Sequence, residues 1–121
     1  MLTASHRLRN SADFTSTTRS GFRAAKNHLV AHFHLPSGGT GPAKVGFTVS
    51  SSVGGSVVRH RVTRQLRAGC QGLLADLPAG SRLVVRALPT AGQVSKPVLQ
   101  AELKGVIHAV LAKSEAKRVV P

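Results

Sequence analysis

The stretch VVRHRVTRQLR, residues 57–67, decides the fold, because its arginines and aliphatic residues sort cleanly under one period and not under the other. At 100° per residue, Val58, Val62, Leu66, Gly69 and Leu73 fall within an arc of about 80°, and Arg61, Arg64 and Arg67 spread over the opposite side. On a strand, Arg59, Arg61 and Arg67 would share a face, Arg64 would point the other way and the valines would be split. The segment therefore reads as an amphipathic helix of about five turns. Gly54, Gly55 and the capping type Ser56 mark its start, and Asp76, Pro78 and Gly80 its end.

The charge on this helix is unusual. A helix N-terminus carries roughly half a positive charge and favours Asp or Glu in its first turns. Here arginines stand instead, and no acidic residue lies between Asp13 and Asp76. Pairs at i,i+4 cannot offset the repulsion, so the isolated fold bears an electrostatic cost that a polyanion would relieve. The whole chain agrees: 121 residues carry seventeen Lys and Arg against four Asp and Glu, a net charge of +13. That is far more than solubility asks of a domain this small, and a polyanionic partner is the inference.

The length suits one domain, residues 1–121, that removes about two thirds of its unfolded surface from water. The N-terminal MLTASHRLRN has no apolar h-region and no 18-residue apolar run occurs, so neither export nor membrane spanning is expected. Cys70 is the single cysteine, which excludes an intramolecular disulfide and a multi-Cys zinc site. It lies at the edge of the helix's apolar stripe, a packed thiol in a reducing cytoplasm.

Outward from the arginine helix, Asn10 and Ser11 can cap a short helix through about Ser20, with Ala12, Phe14 and Thr18 as its inner face, before Gly21 ends it. HLVAHFHL, 28–35, alternates as a strand: Leu29, Ala31, Phe33 and Leu35 on one face, His28, Val30, His32 and His34 on the other. PSGGTGPA, 36–43, is a flexible connection. KVGFTVS, 44–50, alternates again, with Val45, Phe47 and Val49 opposite Lys44, Thr48 and Ser50. RLVVRAL, 82–88, is a further strand. Ser95 opens a last helix with Pro97 in its first turn and a stripe of Leu99, Leu103, Val106, Ile107 and Val110. KSEAKRVVP, 113–121, reads as a loose tail. The order is α-β-β-α-β-α, an α/β (α+β) two-layer sandwich with helices packed on a small central sheet.

Self-sufficient catalysis finds little support. Asp13, Asp76, Glu102 and Glu115 are isolated and borne on different elements, whereas a metal-dependent nuclease needs clustered carboxylates. No nucleophile-elbow motif accompanies a Ser or Cys. His28, His32 and His34 share a strand face but span about 20 Å, too far to hold one ion; His32 and His34 alone are left as a zinc pair, while a polar sheet face is the plainer reading. Imidazoles on such a face can stack on bases or, once protonated, donate to phosphate. His60, between two arginines, stays neutral or meets phosphate when charged. By parity Phe33 and Phe47 belong to the apolar face, which leaves Phe14 as the aromatic to meet an unstacked base, with core packing as its alternative.

The run KVGFTVSSSVGGSVVRHRVTRQLR, 44–67, resembles the signature of the bacterial ribonuclease P protein component: an R/K-x-G-F-x-V-S strand, a K-K-x-G turn and an R-N-R-x-K-R-x-x-R helix. RLRNSADF and LVVRAL stand in their expected places, so the likeness covers nearly the whole chain. The resemblance implies a protein subunit of a ribonucleoprotein whose RNA hydrolyses the 5′ leader from precursor tRNA, with magnesium ions held mainly by that RNA and the protein alone not catalytic. It implies that Arg59, His60, Arg61, Arg64 and Arg67 bind the catalytic RNA, and that Phe14, His32 and Thr48 line a cleft for the single-stranded leader. It implies as partners the catalytic RNA and precursor tRNA, with no membrane and no obligate protein partner, and a left-handed crossover between two parallel strands. Ser51 and Ser52 stand where the family usually has lysines, His60 replaces an asparagine, Thr63 a lysine and Ala68 an acid, so fewer RNA contacts follow. Thr18 and His32 replace aromatics of many relatives, which weakens stacking on the leader. The competing reading from composition is a non-enzymatic basic RNA-binding module of ribosomal or RNA-chaperone type; a binder of anionic membranes rests on charge alone.

Overall fold

The computed structural model describes residues 6–8, 11–36 and 40–119. In chain order these form α1 (Ser11–Ser20), β1 (Phe22–Ala25), β2 (Leu29–His34), β3 (Lys44–Thr48), α2 (Ser56–Gln71), β4 (Arg82–Ala87) and α3 (Lys96–Val119), with 3-10 turns at Leu74–Asp76 and Pro89–Gln93. Asn10, expected as a cap, the middle of the 36–43 connection and the last two residues lie outside the described residues.

The four strands form one mixed sheet in the order β1-β2-β4-β3. β1 pairs antiparallel with β2 and β2 antiparallel with β4, while β3 lies parallel to β4 and reaches it through α2. Alternation then divides the sheet. Leu29, Ala31, Phe33, Val45, Leu83, Val85 and Ala87 face one side and join Val62, Leu66 and Cys70 of α2 and Leu99, Leu103, Val106, Ile107 and Val110 of α3 in one core. With no Trp or Tyr in the chain, these aliphatic side chains, worth roughly 1.5–3 kcal/mol each on burial, are the main favourable term. α1 lies across the other face, against β2 and β4.

Four expectations change. FRAA forms β1, a strand too short and too poor in β-branched residues to be read locally; its register, Phe22 opposite Phe33 and Ala25 opposite Val30, comes from β2. α2 ends at Gln71, and its N-cap is Gly55, so Ser56 is already helical and caps nothing through its side chain. α3 continues through 113–119, read from the sequence as loose: Ser114 is buried and the Lys113 ammonium donates to the Arg23 carbonyl at 2.6 Å, on the strand at the sheet's edge. In α1 the buried residue is Thr17, whose hydroxyl bonds back to the Asp13 carbonyl, while Ala12 and Thr18 are exposed and Phe14 is half-buried.

Candidate nucleic-acid interface

α2 presents two adjacent rows at i,i+4,i+8: Arg59, Thr63 and Arg67 beside His60, Arg64 and Ala68. With Val49 these residues line a cleft of about 580 Å³ between α2 and the end of β3. His60 and Arg64 are exposed; Arg59 and Arg67 are half-buried, and the Arg59 Nε is enclosed without a hydrogen-bond partner. Thr63 donates its hydroxyl to the Arg59 carbonyl at 2.8 Å, which leaves the row's charge to its arginines. Arg61 turns the other way. Its Nη2 donates to the Gly92 carbonyl at 2.6 Å, tying α2 to the turn before α3, and the rest of its side chain borders a shallower cleft with Val57, His60 and Arg64. The five residues expected on one RNA surface therefore divide into four around a cleft and one that also serves as a strut.

The second set lies on the α1 face of the sheet. Cross-strand pairing places Arg23, His32, Val84 and Gly46 in one line over β1, β2, β4 and β3, with Ala25, Val30, Arg86 and Thr48 in the next. Phe14 lies directly on Gly46, where a Cβ would overlap the ring. Phe14, His32 and Thr48 thus share the face that parity assigns. Burial first, and then the guanidinium groups of Arg23 and Arg86, push the His32 imidazole below its usual range, so it stays neutral near pH 7; its Nδ1 is enclosed and unpartnered. Arg23 and Arg86 are exposed beside it and were missed by sequence reasoning. The alternation of RLVVRAL carried the signal for Arg86, whereas Arg23 sits on the unread strand. His28 leaves the face: its amide donates to Glu102 and its Nδ1 lies 2.6 Å from the Thr90 hydroxyl.

The two surfaces meet at Arg67. With Arg7, Leu8, Phe14, Val45, Gly46 and Phe47 it also lines a pocket of about 210 Å³ at the edge of β3. No carboxylate lines any of these clefts. Asp13 is held by Arg82 at 3.2 Å, Asp76 by His108 at 3.3 Å, and Glu102 faces His28. Among the described residues no three His, Cys, Asp or Glu side chains come together in a group able to hold a metal ion, and no helix is long and apolar enough to cross a membrane. What remains is a cationic, acid-free track walled in part by the half-buried Phe14, a surface suited to phosphodiesters and an unstacked base.

The chain as a whole is similar to known proteins. Residues 2–111 match the family model for ribonuclease P. The ribonuclease P protein component of Salinispora tropica is 43% identical, with 93% of this chain and 95% of that protein covered; the one from Thermobifida fusca is 42% identical, with 91% and 79% covered. Among solved structures, a Staphylococcus aureus RNase P protein superposes with a TM-score of 0.75 at 20% identity, covering 86% of this chain and 94% of the other. The RNase P protein from Thermotoga maritima in complex with 1-(4-fluorophenyl)-2-thiourea does so with 0.73 at 20% identity, covering 82% and 94%.

Proposed function

The chain belongs to the ribonuclease P protein family, and from that membership we propose how its surfaces divide the work of removing the 5′ leader from precursor tRNA. The protein is a subunit of ribonuclease P, the endoribonuclease of tRNA 5′ maturation, and is not catalytic alone. Arg59, His60, Arg64 and Arg67 bind the catalytic RNA along the α2 cleft, with Arg61 contributing the part of its guanidinium not spent on Gly92. Phe14, His32 and Thr48 receive the single-stranded leader on the sheet face, assisted by Arg23 and Arg86. The observation that carries this division is the acid-free lining of two clefts joined at Arg67.

Mechanistically, the protein lowers the cost of bringing two polyanions together. Each phosphate neutralised by Arg releases counterions and removes repulsion between the leader and the catalytic RNA. A neutral His32 offers a base a polar contact without competing for phosphate, and Phe14 offers a stacking face. Among the described residues the carboxylates stand apart and form no metal-holding group, in keeping with magnesium ions placed on the RNA. Action in the cytoplasm, away from membranes and without an obligate protein partner, accords with this assignment.

The test is cleavage of a leader-bearing precursor tRNA at low magnesium with protein alone, with bacterial ribonuclease P RNA alone, and with both. Cleavage far faster with both than with RNA alone, and none with protein alone, is expected. Equal rates with and without folded protein would refute the reading.

A further inference from the structure

Arg7 has no role so far beyond lining the pocket at the edge of β3, yet the bonds of its two neighbours fix its place in the fold. The His6 Nδ1 lies 2.8 Å from the Ala43 carbonyl oxygen, the Leu8 amide donates to the Val45 carbonyl at 2.9 Å, and Arg7 forms a parallel bridge with Val45. These residues therefore act as a short extra strand on the edge of β3 that β4 leaves open. Leu8 is buried, which anchors the segment, and Arg7 lines the 210 Å³ pocket with Phe14 and Arg67. The Arg7 Nε is enclosed and has no hydrogen-bond partner. An enclosed guanidinium N–H without an acceptor is costly, and an anionic oxygen would satisfy it. Asp13, next to Phe14 in the chain, is engaged by Arg82 and does not line this pocket.

We propose that Arg7 and Arg67 close on one phosphate of the leader strand, at the junction of α1, the β3 edge and α2, with the base of that nucleotide against Phe14. The assignment rests on the leader reading above and adds to it a single-nucleotide site. Two guanidinium forks on one phosphate give directional, charge-assisted hydrogen bonds that a diffuse basic surface does not. The pocket is too small for a helical segment and admits a phosphate with part of its nucleotide. Phe14 in its wall selects an unstacked base, which a single strand offers and a duplex does not. Arg67 belongs to the α2 cleft as well, so this phosphate is the point at which leader and catalytic RNA share a side chain.

The experiment uses holoenzyme assembled with ribonuclease P RNA and measures affinity for tRNA with and without a short leader, for wild type, Arg7→Gln, Arg7→Lys and Phe14→Ala. Arg7→Gln should weaken binding of leader-bearing tRNA by about tenfold and of leader-free tRNA by less than about twofold, with Arg7→Lys recovering only part. A neutral methylphosphonate is then moved along the leader. At one position it should weaken the wild type by at least that factor and Arg7→Gln by clearly less, the remainder being the contact with Arg67. Equal losses on both substrates, or the absence of any such position, would overturn the assignment. Should Arg7→Gln fail to fold, the same scan comparing wild type with Arg7→Lys decides the matter. If Phe14→Ala also fails to discriminate the substrates, the leader reading itself has failed; if Phe14→Ala discriminates and Arg7→Gln does not, only the Arg7 site is lost.

Discussion

Gly46 shows how one residue can shape a site without touching a ligand. It lies on β3 beneath the Phe14 ring, in line with His32, and a side chain there would overlap the aromatic. Gly46→Ala should displace Phe14, cost about 1–3 kcal/mol of stability as overpacking does, and reduce discrimination for leader-bearing tRNA; urea unfolding and substrate affinity measure the two effects. His32 makes a different prediction, through protons. Its folded pKa is lowered from 6.5 by burial and by Arg23 and Arg86, so below pH 6.5 the unfolded chain takes up a proton that the folded chain resists. Stability from this group is complete above pH 6.5 and is lost as pH falls from there to the folded midpoint. The wild-type urea midpoint should therefore drop between pH 7.5 and 5.5 by more than that of His32→Gln; equal drops would show that the imidazole is not the group responsible. His32 was legible in the sequence as a member of a strand face because alternation is local, and Gly46 only as a position within the 44–50 strand. The orphaned Nδ1 and the flanking arginines were not, since Arg23 and Arg86 approach only once three strands are paired.

At the scale of elements, α2 separates stability from binding between two neighbouring arginines. Arg61 donates to the Gly92 carbonyl and Gly92 packs where a Cβ would crowd Val58, so the Pro89–Gln93 turn is fitted against the helix. Arg64, three residues on, is exposed and borders open clefts. Arg61→Ala should lower stability by about 1–2 kcal/mol and also weaken the catalytic RNA complex, whereas Arg64→Ala should leave stability within about 0.5 kcal/mol and weaken only binding. Denaturant unfolding beside RNA titration distinguishes them, and similar stabilities for the two variants would refute the strut. The helix was readable because its stripe repeats over several turns, but the partner of Arg61 lies 31 residues away and leaves no trace in the local pattern. The same reason hid β1 and the end of α3. FRAA becomes a strand by pairing with β2, and the polar run from Lys113 stays helical on an already formed helix, its first residue reaching the Arg23 carbonyl. Sheet order is likewise a product of packing, and no periodicity within 44–48 or 82–87 announces that those strands are parallel neighbours.

For the whole molecule, the net charge of +13 sets two opposing responses to salt. In the free protein, α2 carries its arginines with no acid in the first turn, and the clefts they line contain no carboxylate, so like charges repel across the folded surface. Added salt screens that repulsion over a Debye length of about 10 Å at 0.1 M and should stabilise the isolated fold. In the complex, the same side chains are neutralised by phosphates whose counterions were released on binding, and added salt drives that equilibrium backwards. If about six to eight cationic groups meet phosphate, log K should fall with log salt at a slope near −4 to −7, at roughly 0.7–0.9 per contact. The predicted signature is thus a rising unfolding midpoint and a falling RNA affinity over one salt series. A flat affinity would remove the phosphate contacts from the account, and a falling midpoint would show that the arginines find compensation within the chain. Arg7→Gln should make the slope for leader-bearing tRNA shallower by about one contact and leave the slope for the catalytic RNA alone unchanged, which ties the charge of the whole molecule to the single pocket at the edge of β3.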